Sequence, residues 1–156
     1  MDLVGRLSNP GSRGTRNTRD TALAMSQENV ALAHRAYAAF SSGDQDAFVA
    51  CMDSDVVFES LVLESEGRTY RGRDGAREYF NSIREVFPNW QAEIVQLREF
   101  GDFLVIEARL FGTGEASGLE VEQQVWQASR ARNGKVVWWK FFRTEAEALE
   151  AVGLQE

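Results

Sequence analysis

The order of helical and extended stretches limits the fold of this chain more than any other feature. Apolar residues recur at three- and four-residue intervals up to Phe40, which is the spacing of one helix face. A second and a third helical stretch follow before residue 88. Four long stretches with strand character come next, at residues 90–99, 103–112, 119–129 and 135–143. Helices first and a long antiparallel sheet afterwards predict an α+β fold.

Turn and cap residues divide these stretches. Ser26 predicts the start of helix one, and Gly43 predicts its end. Asp44 and Asp74 are the expected N-caps of helices two and three, and Pro88 prevents continuation of helix three. The remaining segments are shorter: a strand at residues 56–62, a loop at 63–73 and a closing helix at 144–152.

The last strand is apolar on both faces. Trp139 and Phe141 share one face, whereas Trp138 and Phe142 share the other. An antiparallel sheet with one solvated face would alternate apolar and polar residues. Both apolar faces must be buried from water, and the helices can pack against only one of them. A partner subunit is the natural second cover, so the sequence predicts a homodimer.

Composition argues against several classes of function. The chain has 156 residues, a formal net charge of -7 and a pI near 4.9. This charge argues against binding to a phosphate backbone, and no apolar run reaches the roughly 20 residues of a membrane span. Cys51 and His34 are the only cysteine and histidine, too few for an ordinary zinc site or a catalytic triad. Gly112 and Gly114 lack the spacing of a dinucleotide-binding loop. We expect no metal, cofactor, nucleic acid or membrane contact.

Residues 1–25 differ in character from the rest of the chain. They contain proline, glycine and scattered arginines, and they show no periodic apolar face. Such a segment buries too little apolar surface to offset the entropy of ordering. We therefore predict a disordered N-terminal extension and a single domain at residues 26–156. Met25 is an alternative start to Met1, and a transit peptide is an alternative interpretation of the extension.

A series of motifs in the domain resembles a known family. The motifs share their order along the chain and are Tyr37-Ala38-Ala39-Phe40, Ser42-Gly43-Asp44, Asp53-Ser54-Asp55-Val56-Val57-Phe58-Glu59, Tyr70-Arg71-Gly72-Arg73-Asp74-Gly75, Phe87-Pro88, Ala148-Leu149 and Gly153-Leu154. Over residues 26–154 the chain is similar to the SnoaL-like branch of the nuclear transport factor 2-like superfamily. The resemblance implies a curved antiparallel sheet wrapped around N-terminal helices, a cone-shaped barrel with an internal pocket, and a homodimer. It also implies a small hydrophobic ligand, since the relatives include ketosteroid isomerase and polyketide cyclase families.

The catalytic positions of those relatives carry other residues here. Ser60 stands where the isomerase pattern has its first-strand carboxylate, and Ala36 lies near the position of the isomerase tyrosine. The dehydratase pattern needs two pocket histidines, whereas this chain has His34 alone. The cyclase pattern has an aspartate on the final strand, where this chain has Phe141-Phe142-Arg143. The resemblance therefore implies a pocket without a recognised catalytic set.

Four polar side chains are candidates for chemistry in that pocket. Glu59, next to Phe58 on the first strand, is a candidate base if burial raises its pKa; the alternative is an exposed or salt-bridged glutamate. Tyr37, on the apolar stripe of helix one, is a candidate catalytic hydrogen-bond donor or else a core tyrosine. Arg143 is a candidate clamp for an anionic group or a partner of Glu59, or else a surface arginine. His34 is a candidate ligand contact or a partly exposed helix residue.

Aromatic side chains are expected to form the ligand wall. They are Phe58, Trp126, Trp139 and Phe141. We predict a SnoaL-like cytoplasmic pocket protein with cofactor-free proton-transfer chemistry, of isomerase, dehydratase or cyclase type, on a small hydrophobic ligand. The alternative is a non-catalytic ligand-binding or protein-interaction module. Glu59 decides between them, because a carboxylate that faces solvent would leave the pocket without its candidate base.

Overall fold

The computed structural model of the chain describes residues 10–60 and 68–153, with side chains from residue 26 onward. The elements in chain order are α1 (Pro10–Ser42), α2 (Gln45–Ala50), β1 (Met52–Ser60), β2 (Arg68–Arg71), α3 (Gly72–Val86), β3 (Gln91–Phe100), β4 (Phe103–Thr113), β5 (Glu120–Arg132), β6 (Lys135–Phe142) and α4 (Glu145–Ala151). A six-stranded curved sheet wraps against the helices, so the predicted α+β fold class is confirmed.

The strands form one sheet in the order β2-β1-β6-β5-β4-β3. Neighbouring strands are antiparallel, except that β1 and β6 run parallel. Strands β3 to β6 therefore form a continuous meander, and β6 returns to pair with the first strand. The turn between β5 and β6 uses Asn133 and Gly134, with φ of 54° and 74°. Positive φ at both positions suits a tight hairpin, and asparagine and glycine adopt it at low cost.

Side chains alternate between an inner and an outer face of the sheet. The inner face forms the main core, in which α1 packs against β3 and α3 packs against β1. On the outer face, α4 packs over β5 and β6. Its Ala148 and Leu149 form a second buried cluster with Val105 of β4. The chain's own C-terminal helix thus covers part of the second apolar face that predicted a partner subunit.

The helix caps agree with the sequence at α2 and differ at α3. The Asp44 carboxylate accepts a hydrogen bond from the Ala47 N–H at 3.0 Å and caps α2, as predicted. Asp74 does not cap α3. The helix begins at Gly72, whose φ of 69° lets the chain turn from β2 directly into α3. Asp74 therefore lies inside the first turn, where its carboxylate pairs with Arg77 at 3.4 Å.

The first two strands also differ from the prediction. β1 begins at Met52, earlier than the predicted strand, and ends at Ser60. β2 lies within the segment predicted as a loop, and it pairs with β1 at the edge of the sheet. Tyr70 is the one buried residue of β2, and its ring stacks on Phe58 with 5.0 Å between ring centroids. A strand held by one apolar side chain has no alternating pattern, which is why the sequence did not reveal it.

The start of α1 differs from the prediction as well. The sequence predicted a helix from Ser26, whereas the helical backbone begins at Pro10. Whether residues 1–25 form an extension separate from the domain stays a prediction, because side-chain contacts are described only from residue 26. Among the helices that the structure describes, none combines the length and the hydropathy of a membrane span.

Candidate functional site

A cavity, here called the inner cavity, lies between α1 and the inner face of the sheet. The volume in which the centre of a water-sized group fits is about 60 Å³. Each such group needs roughly 10–15 Å³ of this space, so the cavity has room for about five. α1, α3 and strands β3 to β6 supply most of its walls.

One face of α1 forms the floor of the inner cavity. The residues of α1 that line it recur at the three- and four-residue spacing of a single helix face; they are Asn29, Leu32, Ala33, Ala36, Tyr37 and Phe40. Two of the six are alanines, whose short side chains leave space between the helix and the sheet. The cavity therefore follows from small residues at inward positions of a long helix.

A hydrogen-bonded pair provides the main polar group of the cavity. The Tyr37 hydroxyl donates to Oε1 of Gln127 at 2.9 Å, which joins α1 to β5 across the cavity wall. We call this the Tyr37–Gln127 pair. Gln127 is only 8% exposed, and its amide nitrogen makes no hydrogen bond to a described residue. Gln127 lines the cavity, and its amide nitrogen is not among the fully buried unpaired atoms of the described residues. This N–H group is therefore the part of the pair that an acceptor in the cavity can reach.

Two phenols at the cavity are held in the neutral form. Burial raises the pKa of Tyr37, with a smaller contribution from nearby Tyr79. Burial likewise raises the pKa of Tyr79, although a hydrogen bond from the Ser60 hydroxyl at 3.2 Å acts in the opposite direction. Both hydroxyls keep their protons at neutral pH, so they act as hydrogen-bonding groups and not as bases.

Trp139 forms the centre of an aromatic wall. Its ring stacks on Phe58 with centroids 4.4 Å apart, and its edges meet Tyr79 at 5.6 Å and Phe141 at 5.2 Å. Such pairs contribute about 0.5–1.5 kcal/mol each beyond area burial, so the indole is held firmly. Its Nε1–H is buried and finds no acceptor among the described residues. An unpaired buried donor costs about 1–3 kcal/mol, which the surrounding ring contacts offset.

Ionised groups are missing from the described wall. None of the described lining residues is aspartate, glutamate, histidine, lysine or arginine. The described residues also contain no group of three or more His, Cys, Asp or Glu side chains that can hold a metal ion. The described wall thus offers hydroxyl, amide and aromatic groups to a ligand, and no charge.

Three predicted site residues line the inner cavity: Tyr37, Trp139 and Phe141. Phe58 does not line it. Its side chain is fully buried behind Trp139, between that indole and the ring of Tyr70. Phe58 therefore acts by holding the aromatic wall in place.

The structure does not bring Glu59 to the cavity. Adjacent side chains of a strand point to opposite faces, and Phe58 occupies the inner one. The Glu59 carboxylate lies 3.5 Å from Nζ of Lys140, which is directly opposite on β6, and its side chain is 35% exposed. The interpretation of Glu59 as a buried base is therefore not supported, whereas a salt-bridged strand glutamate describes its position.

The other candidates also lie away from the cavity. Trp126 points to the outer face and packs against the cluster that Val105, Ala148 and Leu149 form beneath α4. His34 and Arg143 are exposed and do not line the cavity. For Trp126 the physical reason is strand parity, because Gln127 takes the adjacent inward position.

Gln127 and Ser129 line the cavity but were not predicted as site residues. They lie at alternate positions of β5 between Val125 and Ala131, which are both buried. Two polar side chains in an otherwise apolar row are a sequence signal that would have found them. Which row of β5 faces inward is set by pairing with β4 and β6, and β5 alone does not reveal it.

Comparisons with known proteins agree with this architecture. A family model described as SnoaL-like domain matches residues 33–139. A search of curated proteins finds no significant match.

Several solved structures share the fold. A phenazine biosynthesis-related protein from Pseudomonas aeruginosa has a TM-score of 0.68 at 14% identity, covering 88% of this chain and 92% of that one. A hypothetical protein with a ketosteroid isomerase-like fold from Catenulispora acidiphila, in complex with trimethylamine, has a TM-score of 0.66 at 17% identity, covering 79% and 92%. A putative SnoaL-like polyketide cyclase from a Jannaschia species has a TM-score of 0.64 at 19% identity, covering 80% and 90%. At these identities the likeness concerns the fold alone.

Proposed function

This chain belongs to the SnoaL-like domain family, and we propose that it binds a small, uncharged and largely apolar molecule in the inner cavity. The observation that carries the proposal is the described wall of that cavity, which is apolar and aromatic apart from a few neutral polar groups. Concave sites of this composition are the usual places where proteins bind small organic molecules.

The wall determines the charge of the ligand. A charged ligand that enters a buried site loses its hydration and needs a compensating charge or several hydrogen bonds. The described lining residues provide no ion of either sign. A neutral ligand meets no such cost, so the wall favours neutral molecules.

The volume limits the size of the ligand. The inner cavity has room for about five separate water-sized groups. Because bonded atoms lie closer together than separate groups, this space admits a molecule of roughly five to eight non-hydrogen atoms. The protein of similar fold from Catenulispora acidiphila was solved in complex with trimethylamine, a molecule of four non-hydrogen atoms that is slightly smaller than this range. That complex supports the proposal in size only.

Binding is favoured here over proton-transfer chemistry. General-base catalysis needs a group that is deprotonated near the working pH and lies within reach of the substrate. Glu59 lies on the outer side of the sheet, and the phenols of Tyr37 and Tyr79 have raised pKa values. The described wall therefore lacks a base, and we retain the non-catalytic alternative of the sequence analysis as the proposed function.

A cavity-filling substitution tests the proposal. Ala36 is buried and lines the cavity, so Ala36→Phe should occupy the ligand space. Ala38 lies on the same helix and is exposed, so Ala38→Phe is the matched control. Binding of cyclohexanone and methylenecyclohexane, measured by NMR titration, should be lost in Ala36→Phe and kept in Ala38→Phe. Equal binding by both variants, or no binding by the wild-type protein at millimolar probe, would refute the proposal.

We also propose that the protein is a cytoplasmic homodimer. Trp138 supports the dimer, because it lies on the outer face, is only half-buried and contacts Phe103 at 6.3 Å between ring centroids. Phe142 gives less support, since it packs with the cluster beneath α4. Sedimentation at high micromolar concentration tests the dimer, and cell fractionation tests the location.

A further inference from the structure

We propose that the ligand of the inner cavity is a small neutral carbonyl compound, and that the amide nitrogen of Gln127 donates a hydrogen bond to its oxygen. This inference rests on the proposed binding function. It goes further by naming the polar group of the ligand and the side chain that recognises it.

The first step is the donor that lacks a partner. Gln127 is more than nine-tenths buried and lines the cavity, yet its amide nitrogen makes no hydrogen bond to a described residue. Buried polar groups in folded proteins are nearly always paired with protein, water or a ligand. An acceptor that enters the cavity is the group that would complete this amide.

The second step is the orientation of the amide. The Tyr37 hydroxyl donates to Oε1 of Gln127, and burial raises the pKa of that phenol, so it keeps the proton it donates. Rotation of the amide by half a turn would let the nitrogen donate to the phenol oxygen, but the buried phenol proton would then lose its acceptor. Tyr37 is therefore a positioning residue that keeps the nitrogen as the free end of the amide.

The third step is the class of acceptor. An N–H group requires an acceptor, and a carboxylate or phosphate would bring a negative charge that no described lining residue compensates. A carbonyl oxygen is a strong neutral acceptor, and its hydrocarbon remainder suits the aromatic wall around Trp139. Asn29 and Ser129 also line the cavity. Both can donate and accept, so they do not select between ligand classes.

Two probes of the same shape test the inference. Cyclohexanone carries a carbonyl oxygen where methylenecyclohexane carries a CH₂ group, so they differ mainly in the acceptor. Gln127→Met keeps the length of the side chain and removes the amide. This substitution should weaken binding of cyclohexanone by roughly three- to tenfold, the range of one net neutral hydrogen bond, and leave methylenecyclohexane unchanged. For each probe, the affinity for the variant is compared with the affinity for the wild-type protein. The difference in hydrophobicity between the two probes therefore cancels.

The outcomes are distinct. If Gln127→Met weakens binding of both probes equally, or weakens binding of neither, the carbonyl assignment is overturned while the proposed binding function stands. Failure of both probes to bind the wild-type protein overturns the binding function and this inference with it. A further readout needs no variant: the side-chain NH₂ resonances of Gln127 should shift with cyclohexanone and not with methylenecyclohexane. Identical shifts for both would contradict the proposal.

The role of Tyr37 has its own test. Tyr37→Phe should lower the selectivity for cyclohexanone over methylenecyclohexane, because the amide is then free to rotate. The double variant Tyr37→Phe/Gln127→Met should have the same selectivity between the two probes as Gln127→Met alone. A purely structural tyrosine would affect the two probes alike, so an unchanged selectivity in the single variant would overturn the positioning role.

Discussion

The Tyr37–Gln127 pair should carry a measurable interaction energy, which a double-mutant cycle can isolate. Tyr37→Phe removes the hydroxyl and leaves Oε1 of Gln127 without its donor. Gln127→Met removes the amide and leaves the buried hydroxyl without its acceptor. The double variant removes both groups and replaces them with apolar atoms of similar shape.

The magnitude follows from what each change leaves unpaired. A buried polar group without a partner costs about 1–3 kcal/mol, whereas removal of both partners can be nearly neutral. Both groups border the inner cavity, where a water molecule can satisfy part of the loss. We therefore expect each single variant to lose about 1–2 kcal/mol of unfolding free energy. The double variant should lose less than the sum of the singles, by about 1 kcal/mol or more.

Urea unfolding of the four proteins at pH 7 measures this cycle. For a domain of this size, about 1 kcal/mol corresponds to roughly 3–5 °C in the melting temperature, so thermal scans give a second reading. Losses that add within about 0.3 kcal/mol would show that the two side chains do not interact, and that result would refute the pair as the polar centre of the site.

Three further predictions test other parts of the structure. Glu59→Gln should change unfolding free energy by less than about 1 kcal/mol and leave probe binding unchanged, because its pair with Lys140 is partly exposed and lies on the outer face; a large loss of binding would show that Glu59 belongs to the site. Burial raises the pKa of Tyr37 and Tyr79 above the ordinary value of 10.0, so their contribution to stability is complete below pH 10 and falls as pH rises above it. Urea titrations from pH 8 to 11 should show this decline, and Tyr37→Phe should reduce its slope; an equal slope in the variant contradicts the assignment. Trp138→Glu should shift sedimentation towards monomer, and a wild-type protein already monomeric at high micromolar concentration would exclude the dimer.

Much of the fold could be predicted because it depends on local patterns. Apolar alternation and turn residues placed β3 to β6 within a few residues of their observed bounds. Asp44 was correctly expected to cap α2 because its role depends on the next three residues alone. β2 could not be predicted, because its one buried side chain, Tyr70, packs on Phe58 of another strand. The residues of β2 themselves show no apolar alternation that would indicate a strand.

The site was harder to predict because it depends on which face of each strand is inner. On β6, Trp139 and Phe141 line the cavity. Trp126 and Glu59 were placed by size and charge, and both lie on the outer face. Gln127 was overlooked for the same reason. Its inward position is set by the pairing register of β5 with β4 and β6. The sequence of β5 alone does not specify that register.

Ser60 helps to explain why the described wall of the inner cavity lacks a base. The resemblance described in the sequence analysis aligns Ser60 with the first-strand carboxylate of the isomerase pattern, and Ser60 shares the buried inner side of β1 with Phe58. Its hydroxyl donates to Tyr79, which lines the inner cavity. The position that would hold a base is therefore inside, and the residue that occupies it does not ionise near neutral pH. Glu59 cannot replace it, because a shift of one residue along a strand moves a side chain to the opposite face. Under this alignment, the register of β1 turns Ser60 inward and Glu59 outward, so the inner position of β1 carries no base, which supports the proposed binding function over proton transfer.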